Sequence, residues 1–325
     1  MKVLILGAGG FLGRYAVAAS LARGHHVVAL TRSPPRDRTL LEHPMIFWHF
    51  GDYTDGELLD KACADCSAII HLASSSAPAT SNQNPLLDLD TSVVATLRLL
   101  ERIKTGPVRR IIFASSGGTI YGDQRQMPIS EDASTNPICA YGVSRLAIEK
   151  YLLLYHHLYG LNVVILRVSN PFGEYQINSR QQGVIAAFSR AVHEGRPVTI
   201  WGDGSATRDY IYAGDVGEAL VMAAEATDLT SAVLNIGGGV ERSLFDVLDS
   251  FRRLTGRTIT PTFLPARKGD VAQVVLDIRR AARVLDWRPK VSWEEALDRT
   301  WRWHERNVNT TCGLVGADGT TRGER

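Results

Sequence analysis

The sequence predicts an α/β fold: a doubly wound parallel sheet joined to a smaller α/β lobe that would bind a substrate. Three observations predict it. Short apolar runs alternate with helix-length amphipathic segments through the first half. A glycine-rich turn sits between the first such run and the first helix. Beyond Arg167 the rhythm loosens and Pro and Gly punctuate the chain. Strands that alternate with helices form parallel sheets covered on both faces, and strands buried on both faces read as continuous apolar runs.

The elements follow in order. Val3-Leu4-Ile5-Leu6 reads as the first strand, Phe11 to Arg23 as a helix, and Val27 to Leu30 as the second strand. Ile46 to Phe50 and Ala68 to Leu72 are the third and fourth strands, and Thr91 to Lys104 is helical. Arg110 to Ala114 is a strand, Tyr141 to Leu158 a long helix, and Asn162 to Arg167 a sixth strand. A strand–helix–strand rhythm resumes over Arg208 to Glu225 and Ala232 to Ile236. The expected division is a dinucleotide-binding Rossmann-type domain of 1–169 plus about 208–236, with a second lobe of about 170–207 plus 237–306. Residues 307–325 have no periodicity and few large apolar groups and are expected to be a disordered tail.

Composition excludes several classes. Thirty-six Lys and Arg against 34 Asp and Glu leave a formal charge of +2, so no global field favours nucleic acid or a membrane surface. No apolar run reaches the ~18 residues of a spanning helix, and the opening MKVLILGAGG ends in glycines rather than a cleavage site. Four cysteines make no disulfide framework. Cys63-x-x-Cys66 has metal-ligand spacing but no second pair, and reads as a helix end before a buried strand. His156-His157 have no Cys or carboxylate beside them, so no metal is expected; His25-His26 read as solvent-facing. A cytoplasmic, reduced protein is the expectation.

The turn Gly7-Ala-Gly-Gly10-Phe11-Leu12-Gly13 carries the first chemistry. Gly7 permits the tight turn, Gly10 lets backbone N–H groups approach a pyrophosphate, and Gly13 permits close helix–sheet packing. The helix N-terminus adds oriented donors and a partial positive charge. An acidic residue at the end of the second strand would mark a ribose site, but this strand ends Leu30-Thr31-Arg32. Arg32 suits either a 2′-phosphate or a solvated basic loop, so NAD and NADP both stay open. Asp52, followed by Tyr53, is placed to meet an adenine amine. Further along, Tyr141 and Arg145 share one helix face at i,i+4, and the cation favours a phenolate that can act as a base.

With these residues in view, the chain resembles the extended short-chain dehydrogenase/reductases, specifically the NAD-dependent epimerase/dehydratase family typified by UDP-galactose 4-epimerase. The resemblance spans nearly all of residues 1–305. Its marks are the glycine turn, His71-Leu72-Ala73, Ser115-Ser116-Gly117-Gly118-Thr119-Ile120-Tyr121-Gly122 and Tyr141-x-x-x-Arg145. Asn170-Pro171-Phe172-Gly173, Gly202-Asp203-Gly204 with Arg208-Asp209-Tyr210, and Arg267-Lys268-Gly269-Asp270 complete them. The resemblance adds Leu72, Ala73 and Ser74 to the cofactor site.

Two departures stand out. The family carries Lys where this chain has Arg145, and Ser or Thr where it has Gly117. Ser116 is the candidate catalytic hydroxyl and Thr119 the fallback. Gly118 and Thr119 stand where the family's dehydratases and decarboxylases carry carboxylates, so both reactions lose weight. The resemblance then implies a nucleotide-sugar 4-epimerase. Tyr141 removes a hydroxyl proton while hydride passes to the nicotinamide, the 4-ketosugar turns over, and hydride returns to its other face. Arg208 and Arg267 would clamp the diphosphate, Thr199 and Trp201 flank the nucleobase, and Asn170, Gly183, Tyr210 and Asp270 complete the nucleotide site. Val274 stands at the family's gate to the sugar and implies room for an N-acetyl group. A UDP-sugar is the expected ligand and a homodimer, through Thr91–Lys104 and Tyr141–Leu158, the expected assembly. An NADPH-dependent ketosugar reductase and a non-catalytic dinucleotide binder are the alternatives.

Overall fold

The computed structural model describes residues 1–35, 38–74, 81–176, 183–266 and 271–312. The first half runs β1 (Lys2–Leu6), α1 (Phe11–Ala22), β2 (His26–Thr31), α2 (Arg38–Leu41), β3 (Ile46–Phe50), α3 (Gly56–Cys63) and β4 (Ala68–His71). It continues with α4 (Pro85–Leu89), a π-helical stretch (Asp90–Val94), α5 (Ala95–Ile103), β5 (Arg110–Ser116), α6 (Ala140–Tyr159) and β6 (Asn162–Val168). Then come β7 (Asn170–Phe172), α7 (Val184–His193), β8 (Val198–Trp201), β9 (Thr207–Tyr212), α8 (Ala213–Glu225) and β10 (Ser231–Ile236). The chain closes with β11 (Glu241–Ser243), α9 (Leu244–Thr255), β12 (Pro261–Leu264), α10 (Arg279–Leu285) and α11 (Trp293–Cys312).

Seven strands form a parallel sheet in the order β10-β6-β5-β4-β1-β2-β3. Alternation along each strand feeds two cores, which is why the runs are apolar throughout. Val3, Ile5, Val27, Ala29, Ile70 and Ile112 pack with Ala16 and Val17 of α1 and with Val216 and Leu220 of α8. Leu4, Leu6, Val28, Ile69, Ile111 and Phe113 pack with Leu59 of α3, Leu99 of α5, and Ile148 and Leu152 of α6. The strand order reverses between β1 and β4, and ligands of such sheets bind outside the carboxyl ends of the strands at that switch.

Two smaller sheets, β11-β9-β7 and β12-β8, build the second lobe around a core that includes Phe172, Phe188, Tyr210, Phe251 and Trp301. The boundary expected at 208 therefore shifts. β9 belongs to the small three-stranded sheet, and only α8 and β10 return to the large one. α11 continues to Cys312, past the tail expected from 307, while residues 313–325 lie outside the described ones. The helix expected over Thr91–Lys104 is interrupted by π-helical turns at Asp90–Val94. His25 is another correction: it is buried, with Nε2 on Glu225, because α8 covers the end of α1. Burial also pushes the Cys63 and Cys66 thiols up to about 12 and 11, as inert core residues.

Candidate active site

The glycine turn stands at the switch point. Gly7 has φ +86°, and a Cβ there would lie 3.0 Å from the Ala73 amide nitrogen, so β1 and β4 exit shoulder to shoulder. A Cβ at Gly13 would fall 2.1 Å from the Gly7 carbonyl, and one at Gly10 would lie 3.1 Å from it. Gly10 caps α1 without a side-chain hydrogen bond, and no acid occupies the first turn. The first-turn N–H groups of an α-helix have no intrahelical acceptor, so Phe11, Leu12 and Gly13 present bare donors that fit a pyrophosphate. Leu72 N–H donates to Leu6 O, and Leu72, Ala73 and Ser74 line the neighbouring exit from β4.

Arg32 is exposed just beyond β2, and Asp52 is exposed with Oδ1 already accepting from Thr54 N–H and Oγ1. Tyr53 differs: it is buried edge-on to His71, and burial pushes its phenol up to about 12, so it is a wall of the crevice.

The helix α6 delivers Tyr141 and Arg145. Its N-terminus is capped from outside, with Ser81 Oγ accepting from Tyr141 N–H and Asn82 Oδ1 from Ala140 N–H. The Arg145 guanidinium lies 4.8 Å from the centre of the Tyr141 ring and 5.4 Å from that of Phe113. It is only 4% exposed, and no described carboxylate pairs with it. A buried cation without an internal anion is costly unless hydrogen-bonded, so this group fits ribose hydroxyls and a developing phenolate. Burial, aided by the Arg145 charge, pushes His71 down to about 3, leaving a neutral ring bound through Nε2 to Thr96 Oγ1.

β5 extends to Ser116. Ser115 Oγ donates to Glu149 of α6, so strand alternation turns Ser116 toward the other face. The chain then folds into a turn in which Ser116 O accepts from the N–H groups of Thr119 and Ile120. Thr119 O packs against Gly142, beside Tyr141, and its Oγ1 is buried with no partner among the described residues. A Cβ at Gly117 would lie 2.5 Å from Leu276 Cδ1, so a side chain here would collide with the small cluster of Ile120, Tyr121, Val274 and Leu276. At Gly118 the nearest atoms, those of the Asn170 amide, are 3.9 Å away.

On the lobe side, Thr199 and Trp201 face outward from β8, and Trp201 is 40% exposed beside Leu264 of β12. Trp201 is thus a surface platform rather than core. Arg208 is held by Nη1 donating to Thr207 O. Asn170 Nδ2 donates to Asp209 O. Gly183, with φ +85°, caps α7. Tyr210 is buried between Phe172 and Trp293, which makes it a support rather than an open contact. Val274 is buried with Ile120, Tyr121 and Leu276. Arg267 and Asp270 lie outside the described residues.

Comparison with known proteins gives this crevice its family. The NAD dependent epimerase/dehydratase family matches residues 3–237. The chain belongs to that family. It is 34% identical to UDP-glucose 4-epimerase of Mycolicibacterium smegmatis, over 92% of this chain and 97% of that one. The UDP-glucose 4-epimerase of Thermotoga maritima, solved with UDP-glucose, superposes with a TM-score of 0.88 at 30% identity, covering 95% and 100% of the two chains. That of Thermus thermophilus, solved with NAD, gives 0.85 at 31%, covering 93% and 98%. As a member of this family the chain is an NAD-dependent enzyme of the extended short-chain type, and these relatives favour epimerase over reductase or inert binder. Among the described residues no cluster could hold a metal, and no helix is long and apolar enough to cross a membrane.

Sequence reasoning missed the buried polar frame of this family's site. Glu149, on the same face of α6 as Tyr141 and Arg145, accepts from Ser115 Oγ and from Arg167 Nε and Nη2. Arg167 Nη1 donates to Tyr121 OH, which donates to Asn235 Oδ1. Asp209 accepts from the N–H groups of Gly238 and Leu276, and burial outweighs these bonds in pushing its carboxyl up to about 6. The i+8 spacing of Glu149 from Tyr141 was the one visible signal.

Proposed function

We propose that this chain is a UDP-sugar 4-epimerase with a retained NAD. The observation that carries the reading is the Tyr141 phenol paired with the buried Arg145 guanidinium beside the bare helix N-terminus of the glycine turn. When bound, NAD supplies the hydride acceptor and, later, the donor. Tyr141 takes the proton from the sugar hydroxyl and gives it back, and Arg145 stabilises the phenolate between the two events. Ser116 and Thr119 are the hydroxyls of the turn offered to share charge developing on the sugar oxygen, and Thr119, whose carbonyl packs against Gly142, stands on the Tyr141 side. Trp201 offers an aromatic face to the base and Arg208 a guanidinium to the diphosphate.

The open space beside Gly118 and the small Val274 support a pocket that admits an N-acetylhexosamine. The apolar Val143, Leu154 and Leu158, exposed along α6, and Leu86 and Leu87 on α4, support a homodimer through these helices. Incubation with a panel of UDP- and dTDP-sugars, followed by NMR without added cofactor, tests the reading. Interconversion of 4-epimers is expected, with loss in Tyr141→Phe; turnover that requires added NADPH overturns it. Turnover of UDP-GlcNAc no better than UDP-glucose refutes the roomy pocket. A monomer by light scattering refutes the dimer.

A further inference from the structure

A carboxylate in the loop after β7 ties the cofactor-cradling helix to the substrate lobe. Glu174 follows β7 in the loop Gly173-Glu174-Tyr175. Tyr15 OH, from α1, donates to Glu174 Oε2 at 2.6 Å and approaches the Glu174 carbonyl at 3.0 Å. Tyr212 OH, at the start of α8, donates to the same Oε2 at 2.9 Å. One carboxylate oxygen thus receives two phenols from two different elements. The next residue, Tyr175, holds φ +68°, a left-handed conformation costly for a bulky side chain, and its ring lies 4.8 Å from the Arg14 guanidinium of α1. The fit leaves no slack: a Cβ at Gly173 would lie 2.5 Å from Tyr15 OH. Tyr15 in turn stands one helical turn from Phe11, rings 5.8 Å apart, at the end of α1 that fits the pyrophosphate.

We propose that Glu174 is a positioning residue, a latch that holds loop 173–175 on the first turns of α1 and so keeps the dinucleotide captive through each turnover. The inference rests on the reading that NAD lies on the glycine turn. A 4-epimerase must return hydride to the same sugar before its cofactor leaves, so retention of the cofactor is a functional requirement. Burial and the Glu174 charge hold the Tyr15 phenol far above its usual range, which keeps it a donor at working pH.

The test measures exchange of bound NAD for excess fluorescent etheno-NAD by rapid gel filtration. Loss of charge-assisted bonds is expected to speed exchange by about tenfold or more in Glu174→Gln. Tyr15→Phe with Tyr212→Phe, which keeps the carboxylate, is expected to do the same and serves if Glu174→Gln fails to fold. Arg23→Ala is the stability control, because Arg23 pairs with Glu225 at 2.6 Å where the same two helices, α1 and α8, end. Its exchange rate is expected to stay at the starting value. Unchanged exchange in folded Glu174→Gln or in the double variant, or equal acceleration in Arg23→Ala, overturns the latch. Failure of the unaltered protein to bind NAD at all overturns instead the cofactor reading beneath it.

Discussion

Replacing Glu149 by Gln tests whether the buried frame behind α6 governs both stability and catalysis. The Glu149 carboxylate and the Arg167 guanidinium are 1% and 6% exposed at the side chain and meet at 2.8 Å. Removing one charge of a buried pair costs about 3–5 kcal/mol, because the other is left uncompensated. Arg167 retains bonds to Tyr121 OH and Glu131 O, and Gln retains one acceptor, so about 3 kcal/mol is the expected loss. At roughly 2 °C per kcal/mol for a chain of this size, the midpoint falls by about 6 °C. Tyr141, Arg145 and Glu149 rise along one face of α6, so loosening the last also slackens the first two. A fall in kcat of about tenfold with KM little changed is expected, since misplacing a reacting group acts on the transition state. Calorimetry and initial rates with a UDP-sugar give both quantities. A midpoint within about 1 °C of the starting protein, together with unchanged kcat, would refute the claim that this ion pair supports the site.

Other perturbations probe other links. His71 stays neutral in the fold, with its pKa near 3 against about 6.5 when unfolded, so protons bind the unfolded chain first as pH falls. Its contribution is complete above pH 6.5 and is lost below it at up to about 1.4 kcal/mol per pH unit; His71→Gln is expected to flatten that slope in denaturant titrations, and an unchanged slope contradicts the assignment. Trp201→Ala leaves the melting temperature near its starting value, because the ring is exposed, yet weakens UDP binding about tenfold by calorimetric titration. An unaffected affinity removes the ring from the base site. Gly13→Ala forces a methyl to 2.1 Å from the Gly7 carbonyl, and abolished NAD binding with a lowered melting temperature is expected. Normal cofactor affinity in that variant contradicts the cradle.

What the sequence determined by itself was whatever short-range pattern encodes. Strand and helix periods placed β1 to β6 and α1, the glycine spacing placed the cradle, and i,i+4 spacing put Tyr141 beside Arg145. These depend on residues a few positions apart, so they are legible before the chain folds. The tertiary structure decided which polar group each buried group meets. Ser115 finds Glu149 34 positions away, Tyr15 finds Glu174 159 away, and His25 finds Glu225 200 away. It also moved β9 into the small sheet and buried Tyr210, and it left Trp201 open. Burial and hydrogen bonding between distant elements follow from how layers stack, and no local period records that. Desolvation, which makes an unpaired polar group costly, arises only once those layers close.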